Sequence, residues 1–182
     1  MIDGLLLIDN YLNWEEQLNL CRQIDLQHWD TTLKRRVQHY GYRYDYQRRG
    51  VESSFIGELP EWIKEFTTDL KNKKITDLDF DQIIINEYQP GQGISGHVDC
   101  ISCFGDTIIS MSILGGCIMS FQHIGTKQQV DIYLKAGSLL VMSGEARYNW
   151  KHGIPGRKSD TVNGLKMMRS RRLSLTFRKV LD

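Results

Sequence analysis

The chain has 182 residues, of which 41% are hydrophobic and 25% are charged, and its formal net charge at pH 7 is +1. This balance is typical of a globular domain and excludes a disordered or collagen-like chain. No apolar run reaches the roughly 20 residues of a membrane-spanning helix, and the N-terminal segment lacks the basic start of a signal peptide. We expect one domain over residues 1–182, a monomer that contacts no membrane and works inside the cell, in the cytoplasm.

Two amphipathic helices are predicted in the first part of the chain. Asn13 and Glu16 have the spacing of a capping box, and apolar residues then recur at helical spacing to about Leu26. Pro60 suits the first turn of a second helix. The predicted inner face of this second helix consists of Trp62, Ile63, Phe66 and Leu70.

From about residue 80 onward, short strands alternate with turns that are rich in glycine. The predicted strands are 81–88, 107–114, 118–123, 129–134, 138–142 and 173–180. Two helices followed by many short strands favour the α+β class, with an antiparallel barrel or jelly roll. The stretches at about 48–58 and 155–170 are predicted to be mobile.

The four cysteines do not form a disulfide framework in a chain of this length. Cys100 and Cys103 form a C-x-x-C pair, but the second pair of ligands that a structural zinc site requires is missing. We therefore expect reduced thiols.

Positive charge is concentrated in two segments. Residues 31–50 carry six basic residues and one acidic residue, residues 147–179 carry ten and one, and the remainder of the chain has a net charge of −13. This segregation indicates a face that binds anions.

The first basic segment also carries aromatic residues. On a strand its four alternate tyrosines would share one side; they are Tyr40, Tyr42, Tyr44 and Tyr46. Rings beside cations suit contacts with bases and phosphates. The alternative is a tyrosine-rich strand that packs against the body of the protein.

A candidate metal site combines the H-x-D pair of His97 and Asp99 with His152, which follows 55 residues after His97. Residues two apart on a strand point the same way, so His97 and Asp99 can reach one ion. Two histidines and one carboxylate leave coordination positions open, as non-haem Fe(II) oxygen chemistry requires. Alternatively, His152 is an ordinary loop histidine. The other histidines, including His39, have no comparable partner.

Arg172 and Arg178 lie six residues apart in the last predicted strand, so they share one face of it. An arginine binds a carboxylate through a bidentate fork, and a dicarboxylate co-substrate inside a barrel needs such a partner. The alternative is a pair of solvated arginines on an edge strand.

Together these motifs resemble the AlkB family of Fe(II)/2-oxoglutarate dioxygenases over about residues 33–180. In chain order they are Asn86-Glu87-Tyr88, Pro90-Gly91, His97-Val98-Asp99, 137–144, Arg147-Tyr148, His152-Gly153-Ile154 and Arg172–Arg178. The resemblance implies a double-stranded β-helix (jelly roll) core over about 80–182. It also implies N-terminal helices and a nucleotide-recognition lid over about 31–58.

The resemblance further implies roles for individual residues. His97, Asp99 and His152 would bind Fe(II), which uses 2-oxoglutarate and O₂ to oxidise a C–H bond of the substrate. Arg172 would pair with the distal carboxylate of 2-oxoglutarate, and Arg178 would lie near its C1 carboxylate. The residues expected to help hold the co-substrate are Asn86 and Tyr88. The residues expected to bind the substrate are Arg36, His39, Tyr40, Tyr42, Arg43 and Arg147.

Segments 37–42, 139–148 and 176–180 look most like the branch of the family that hydroxylates a modified wobble uridine in tRNA. Bacterial repair demethylases of the family have an acidic residue two positions after the metal-binding aspartate. Ile101 occupies that position here, which disfavours repair of alkylated adenine or cytosine.

We therefore predict an enzyme that oxidises an alkyl group on a nucleic-acid base, with RNA (tRNA) favoured over DNA and demethylation of alkylated RNA or DNA as a subcase. The animal tRNA enzyme also carries RNA-binding and methyltransferase domains, for which 182 residues leave no room. We expect tRNA selectivity to come from this domain's surface or from a separate partner protein. The alternatives are the same chemistry on a protein substrate and a non-catalytic nucleic-acid-binding module.

Overall fold

The computed structural model describes residues 2–45, 51 and 55–181. Its helices are α1 (Trp14–Asp25), α2 (Glu61–Asn72) and α3 (Gly144–Tyr148). Its first strands are β1 (Leu5–Ile8), β2 (Val37–Tyr42), β3 (Phe55–Gly57), β4 (Gln82–Tyr88), β5 (Ile94–His97) and β6 (Ile108–Ile113). The remaining strands are β7 (Cys117–His123), β8 (Gln129–Leu134), β9 (Ser138–Met142), β10 (Trp150–Ile154), β11 (Ser159–Val162), β12 (Leu165–Met168) and β13 (Arg172–Arg178).

The strands form a large sheet, a small sheet and a hairpin, and their pairings are antiparallel. The large sheet has the order β1-β9-β6-β13-β4-β2-β3, the small sheet has the order β5-β10-β7-β8, and β11 pairs with β12. One apolar cluster joins side chains of the two sheets, such as Ile108 and Met142 from the large sheet and Phe121 from the small one. This face-to-face packing of two antiparallel sheets confirms the predicted jelly roll.

The two long helices cover the other face of the large sheet. Ile24 of α1 and Ile63 and Leu70 of α2 share an apolar cluster with Phe177 of β13. Because alternate residues of a strand face opposite sides, Ile83 and Ile85 of β4 also point into this cluster. The large sheet is thus buried on both faces, with the helices on one side and the small sheet on the other.

Both predicted helix starts are confirmed. The Asn13 side chain accepts a hydrogen bond from the Glu16 backbone N–H, and the Asn13 backbone N–H donates to the Glu16 carboxylate, which completes the capping box. Such a cap stabilises a helix by about 1 kcal/mol. Pro60 is the residue immediately before α2.

Segment 155–170, which was predicted to be mobile, contains the hairpin of β11 and β12. Asn163 and Gly164 have φ angles of 50° and 78° at its tip, the conformation that a tight hairpin turn requires. At its base, the buried Asp160 accepts hydrogen bonds from Arg157, Arg169 and the backbone N–H of Ile118. These bonds attach the hairpin to β7.

The other stretch that was predicted to be mobile is covered only in part. Residues 55–57 form strand β3, whereas 48–50 and 52–54 lie outside the described residues, as does Tyr46. Within the described ranges, no helix combines the length and the apolar character needed to cross a bilayer.

Candidate active site

The three predicted metal ligands converge at the edge of the small sheet. His97 ends β5 and is paired directly with His152 of β10, whereas Asp99 follows in the loop after β5. Each residue offers one ligand atom, and these atoms all lie within 4.8 Å of one another. The sequence prediction placed His97 and Asp99 on one strand, but the turn of the loop, not strand alternation, brings the Asp99 carboxylate to the histidines.

Hydrogen bonding orients the His97 ring. Its Nδ1 atom lies 2.9 Å from the carbonyl oxygen of Ser95. A carbonyl oxygen can only accept, so Nδ1 carries the proton. The other nitrogen, Nε2, lies 3.6 Å from Oδ1 of Asp99. This tautomer presents the lone pair of Nε2 to a metal ion, the usual arrangement for a ligating histidine.

The ionisation states of the cluster also suit a metal. Burial opposes ionisation of Asp99, but Arg178 and the two histidines outweigh it and hold the pKa of this carboxyl well below its usual range. Burial lowers the pKa of His152 to about 4, against the opposing effect of Asp99. A carboxylate and a neutral imidazole are the forms that bind metals, so Asp99 and His152 need lose no proton at neutral pH.

Arg147 holds the loop that carries Asp99. Its buried guanidinium donates hydrogen bonds to the carbonyl oxygens of Asp99 and Cys100, both at 3.0 Å, and to those of Phe104 and Gly105. Arg147 was predicted to bind substrate. In the structure its donors are occupied by backbone carbonyls, so its visible contribution is to position Asp99.

A disulfide bond closes the same loop between Cys100 and Cys103. The expectation of reduced thiols is therefore wrong for this pair. The loop turns back on itself and brings the two Cα atoms to 5.3 Å, a separation that the C-x-x-C spacing alone does not determine. The other cysteines, Cys21 and Cys117, are free and buried.

Arg172 presents unused hydrogen-bond donors inside the protein. Its side chain is 2% exposed, and Nη2 donates to the hydroxyl oxygen of Ser112 at 2.7 Å. Its Nε and Nη1 atoms are buried and have no partner among the described residues. Since an unpaired buried donor is costly, these atoms fit a bound carboxylate such as the distal end of 2-oxoglutarate.

Arg178, at the other end of β13, is already paired. It donates to both carboxylate oxygens of Asp99, at 3.3 and 3.4 Å, and to Oε1 of Gln82 at 3.0 Å. Strand β13 lies between β6 and β4 in the large sheet. The alternative of two solvated arginines on an edge strand is thereby excluded.

A cavity of about 670 Å³ adjoins the cluster. Four of the predicted residues line it, namely Asn86, His97, Asp99 and Arg178. Its wall also includes Tyr44, one of the alternate tyrosines, together with Arg35 and Lys151, which were not predicted. A second depression, of about 740 Å³, lies on the outer face of the small sheet and includes none of the metal-site side chains.

The predicted substrate-binding arginines of segment 31–45 contact acidic residues outside this cavity. Arg36 forms two hydrogen bonds with the Glu87 carboxylate, at 2.6 and 2.7 Å, and its guanidinium lies over the Trp29 ring. Arg43 pairs with Asp30 at 3.1 Å. Neither arginine lines the cavity, so their contact with substrate stays a prediction.

The aromatic residues of the same segment that were predicted to bind substrate pack mainly against other parts of the protein. Tyr40 contacts the edge of the Trp62 ring, and Tyr42 that of the Phe55 ring. His39 is mostly buried, and this burial is the main cause that lowers its pKa to about 4. These three side chains are not part of the cavity wall either.

Comparison with known proteins agrees with this geometry. The family model for the 2OG-Fe(II) oxygenase superfamily matches residues 11–178. An Arabidopsis thaliana protein named "Alkylated DNA repair protein ALKBH8 homolog" is 36% identical over 98% of this chain and 59% of its own length. The Xenopus tropicalis "tRNA (carboxymethyluridine(34)-5-O)-methyltransferase alkbh8" is 36% identical over 97% of this chain and 32% of its own length. The chain thus spans about a third to three fifths of these two relatives.

The fold has a counterpart among solved structures. The structure of OsALKBH1 matches with a TM-score of 0.70 and 17% sequence identity, over 98% of this chain and 99% of that one. At this identity the match bears on the fold alone, and it supports the jelly roll. The family match, the relatives and the side chains that converge at the site lead to one conclusion: the chain belongs to the 2OG-Fe(II) oxygenase superfamily and is an AlkB-like dioxygenase dependent on Fe(II) and 2-oxoglutarate.

Proposed function

We propose that this dioxygenase oxidises an alkyl group on a nucleic-acid base and that the modified wobble uridine of tRNA is its preferred substrate. One observation carries the proposal. Three ligand atoms, from His97, Asp99 and His152, lie within 4.8 Å of one another beside a cavity whose wall also bears Arg35 and Lys151. The candidate metal site and two cationic side chains thus lie next to each other.

The protein's own residues would prepare the site for its cofactors. His97, Asp99 and His152 would hold Fe(II), and Arg172 would bind the distal carboxylate of 2-oxoglutarate through its unpaired Nε and Nη1 atoms. When they are bound, Fe(II) and 2-oxoglutarate react with O₂ and supply the chemistry that oxidises an unactivated C–H bond. Arg178 keeps the Asp99 carboxylate ionised.

The size and lining of the cavity suit a single base. About 670 Å³ lies within the usual range of small-molecule sites, roughly 300–1,000 Å³. The Tyr44 and Phe104 rings on its wall have centroids 6.0 Å apart, and aromatic side chains of this kind stack on bases. Lys151 on the same wall would attract a neighbouring phosphate.

Charge favours a neutral base over a cationic one. Adenine alkylated at N1 and cytosine alkylated at N3 carry a positive charge, which Lys151 on the cavity wall would repel. The acidic side chain of this wall, Asp99, is already paired with Arg178. Ile101, which is 55% exposed, adds no negative charge. A modified uridine is neutral and meets no such repulsion.

The names of the relatives support nucleic acid as the substrate class. The frog protein is named for carboxymethyluridine in tRNA and the plant protein for alkylated DNA. The two names point to different substrates, so the choice between them rests on the charge of the cavity wall.

Mass spectrometry of two substrates tests the proposal. Purified protein is incubated with Fe(II), 2-oxoglutarate and either of two oligonucleotides. One is a tRNA anticodon stem-loop with a methoxycarbonylmethyl wobble uridine; the other carries N1-methyladenine and N3-methylcytosine. We expect the first to gain one oxygen atom and the second to remain unchanged, with the Asp99→Ala variant as the inactive control. Loss of a methyl group from the second would instead make demethylation the function, and silence on both would contradict a nucleic-acid substrate.

A further inference from the structure

Among the basic residues of segment 31–45, Arg35 is the one whose side chain lines the cavity. Its backbone is fixed on both sides. The Lys34 carbonyl oxygen accepts a hydrogen bond from Nε2 of Gln92 at 2.8 Å. The Arg36 carbonyl oxygen accepts one from the Glu87 backbone N–H at 3.0 Å. Arg35 therefore enters the cavity from a backbone that is held in place.

The contacts of Arg35 connect it to two residues with a proposed co-substrate role. Its Nε atom donates to Oδ1 of Asn86 at 2.8 Å. Its Cζ atom lies 5.9 Å from the centre of the Tyr88 ring, and Cζ of Arg172 lies 5.5 Å from the same ring centre. The Tyr88 ring thus contacts one guanidinium from segment 31–45 and another from β13.

The two terminal nitrogens of Arg35 remain available. Nη1 and Nη2 make no hydrogen bond to any part of the chain that the structure describes. Arg178, by contrast, donates its hydrogen bonds to Asp99 and Gln82. A guanidinium held through Nε alone presents its two terminal N–H groups as a fork for an anion.

The balance of charge around this wall indicates which anion. Arg35, Arg178 and Lys151 lie on the wall, and Arg172 lies behind it against the Tyr88 ring, while Asp99 pairs with Arg178. Glu87, although next to Asn86 in the chain, pairs with Arg36 and Arg171 instead. Two guanidinium charges are therefore left without a carboxylate from the described chain. A dianion with two separated carboxylates satisfies both.

We propose that Arg35 is a second co-substrate-binding arginine, which binds a carboxylate of 2-oxoglutarate beside Asn86 and Tyr88 while Arg172 binds the other. This inference rests on the proposed roles of Asn86, Tyr88 and Arg172 but not on the identity of the nucleic-acid substrate. It makes the segment that precedes β2 part of the co-substrate site.

The test measures two affinities on the same variants. Protein loaded with Mn(II), which replaces Fe(II) without turnover, is titrated calorimetrically with 2-oxoglutarate. The affinity for a fluorescent anticodon stem-loop is measured in parallel. Arg35→Ala should weaken 2-oxoglutarate binding by about tenfold to a hundredfold, because a hydrogen-bonded charge pair is lost. Arg35→Lys, which keeps the charge but not the fork, should fall between Arg35→Ala and the wild type.

The matched control is Lys34→Ala. This side chain is exposed and adjacent in the chain, and only its backbone carbonyl makes the contact with Gln92. It should bind 2-oxoglutarate like the wild type. Mn(II) affinity and the thermal unfolding midpoint, recorded for each variant, separate a local loss of affinity from misfolding. If Arg35→Ala misfolds, the 2-oxoglutarate affinity of Arg35→Lys tests the inference instead.

Two results would overturn the inference. Unchanged 2-oxoglutarate affinity with a loss of stem-loop affinity in Arg35→Ala would make Arg35 a nucleic-acid contact. Unchanged values for both ligands would mean that Arg35 contacts neither of them. If no nucleic acid is oxidised while 2-oxoglutarate binding still depends on Arg35, the proposed substrate fails and this inference stands.

Discussion

The core with its candidate metal site and segment 31–45 were both singled out in the sequence, yet they differ in where their side chains point. In the core, His97, Asp99 and His152 converge as predicted. In the segment, most basic and aromatic side chains turn away from the cavity, and Arg35 and Tyr44 are the described residues of this segment that line it. A cluster of cations therefore identifies a segment, but it does not identify which of its residues contact a ligand.

Local backbone geometry explains the difference. Strands β4 and β13 pair without interruption over seven residues, so alternation holds along both. In β2 the register shifts between Gly41 and Tyr42, and such a bulge breaks the alternation of side chains. Gly41 has a φ angle of +74°, and a Cβ atom there would lie 1.7 Å from the carbonyl oxygen of Asp81. The tyrosines that were predicted to share one side consequently contact different partners.

The largest effect is expected from removal of a core ligand. Asp99→Ala should reduce turnover of 2-oxoglutarate to background, because one of three metal ligands is lost, and should leave nucleic-acid affinity within about threefold, since that binding depends on phosphate contacts elsewhere. Succinate formation and oligonucleotide binding measure the two effects. The exposed Asp106→Ala is the control. Simultaneous loss of both properties would mean that the fold requires the metal.

A smaller effect is expected from Arg172, the proposed partner of the distal carboxylate of 2-oxoglutarate. Arg172→Lys should weaken 2-oxoglutarate binding by about tenfold to a hundredfold, because lysine cannot form the bidentate contact. Calorimetry on the Mn(II)-loaded protein checks this value. Arg22→Lys, at an exposed position of α1, should have no effect. Wild-type affinity in Arg172→Lys would show that the unpaired nitrogens of Arg172 do not face the co-substrate.

The buried histidine of the segment predicts a pH dependence of stability. Burial depresses the pKa of His39 to about 4 in the folded protein, whereas an unfolded histidine titrates near 6.5. The unfolded chain thus binds more protons in this window. The contribution of His39 is fully present above pH 6.5 and is lost as the pH falls from about 6.5 through 4.

Denaturant unfolding of the metal-free protein across this range measures the effect. After allowance for residual exposure of the ring, we expect a loss of about 2 kcal/mol. His39→Gln should reduce the pH slope, whereas the exposed His28→Gln should not. An equal slope in His39→Gln and the wild type would contradict the assigned environment of His39.

The smallest effect is expected from Arg43, an exposed side chain of segment 31–45, on oligonucleotide binding. Arg43→Ala should weaken oligonucleotide binding a few-fold and reduce its salt dependence by about one unit of slope, since one phosphate contact is removed. Turnover of 2-oxoglutarate without substrate should not change, because Arg43 lies outside the cavity wall. Binding at several salt concentrations tests this, with Arg22→Ala as the control. An unaltered slope would indicate that Arg43 makes no phosphate contact and serves contacts within the protein, among them its ion pair with Asp30.

Local sequence signals predicted much of the fold. The capping box of Asn13 and Glu16, the helix after Pro60 and the strands of the large sheet from β4 onward were found, since each depends on neighbouring residues. Strands β5 and β10 were not predicted, because both are short and contain glycine. The hairpin over 155–170 was not predicted, because its attachment depends on contacts of Asp160 with β7.

The sequence by itself determined the chemistry of the protein. The order and spacing of His97, Asp99, His152 and Arg172 resemble those of the AlkB family, and this resemblance indicated an Fe(II)/2-oxoglutarate dioxygenase. Only the tertiary structure decided which of two adjacent arginines serves the site. Arg36 meets Glu87, 51 residues away, while Arg35 meets Asn86 and the cavity. Arg35 lies in a bend and Arg36 directly precedes β2, so which of the two side chains faces the cavity depends on strand pairing between distant segments.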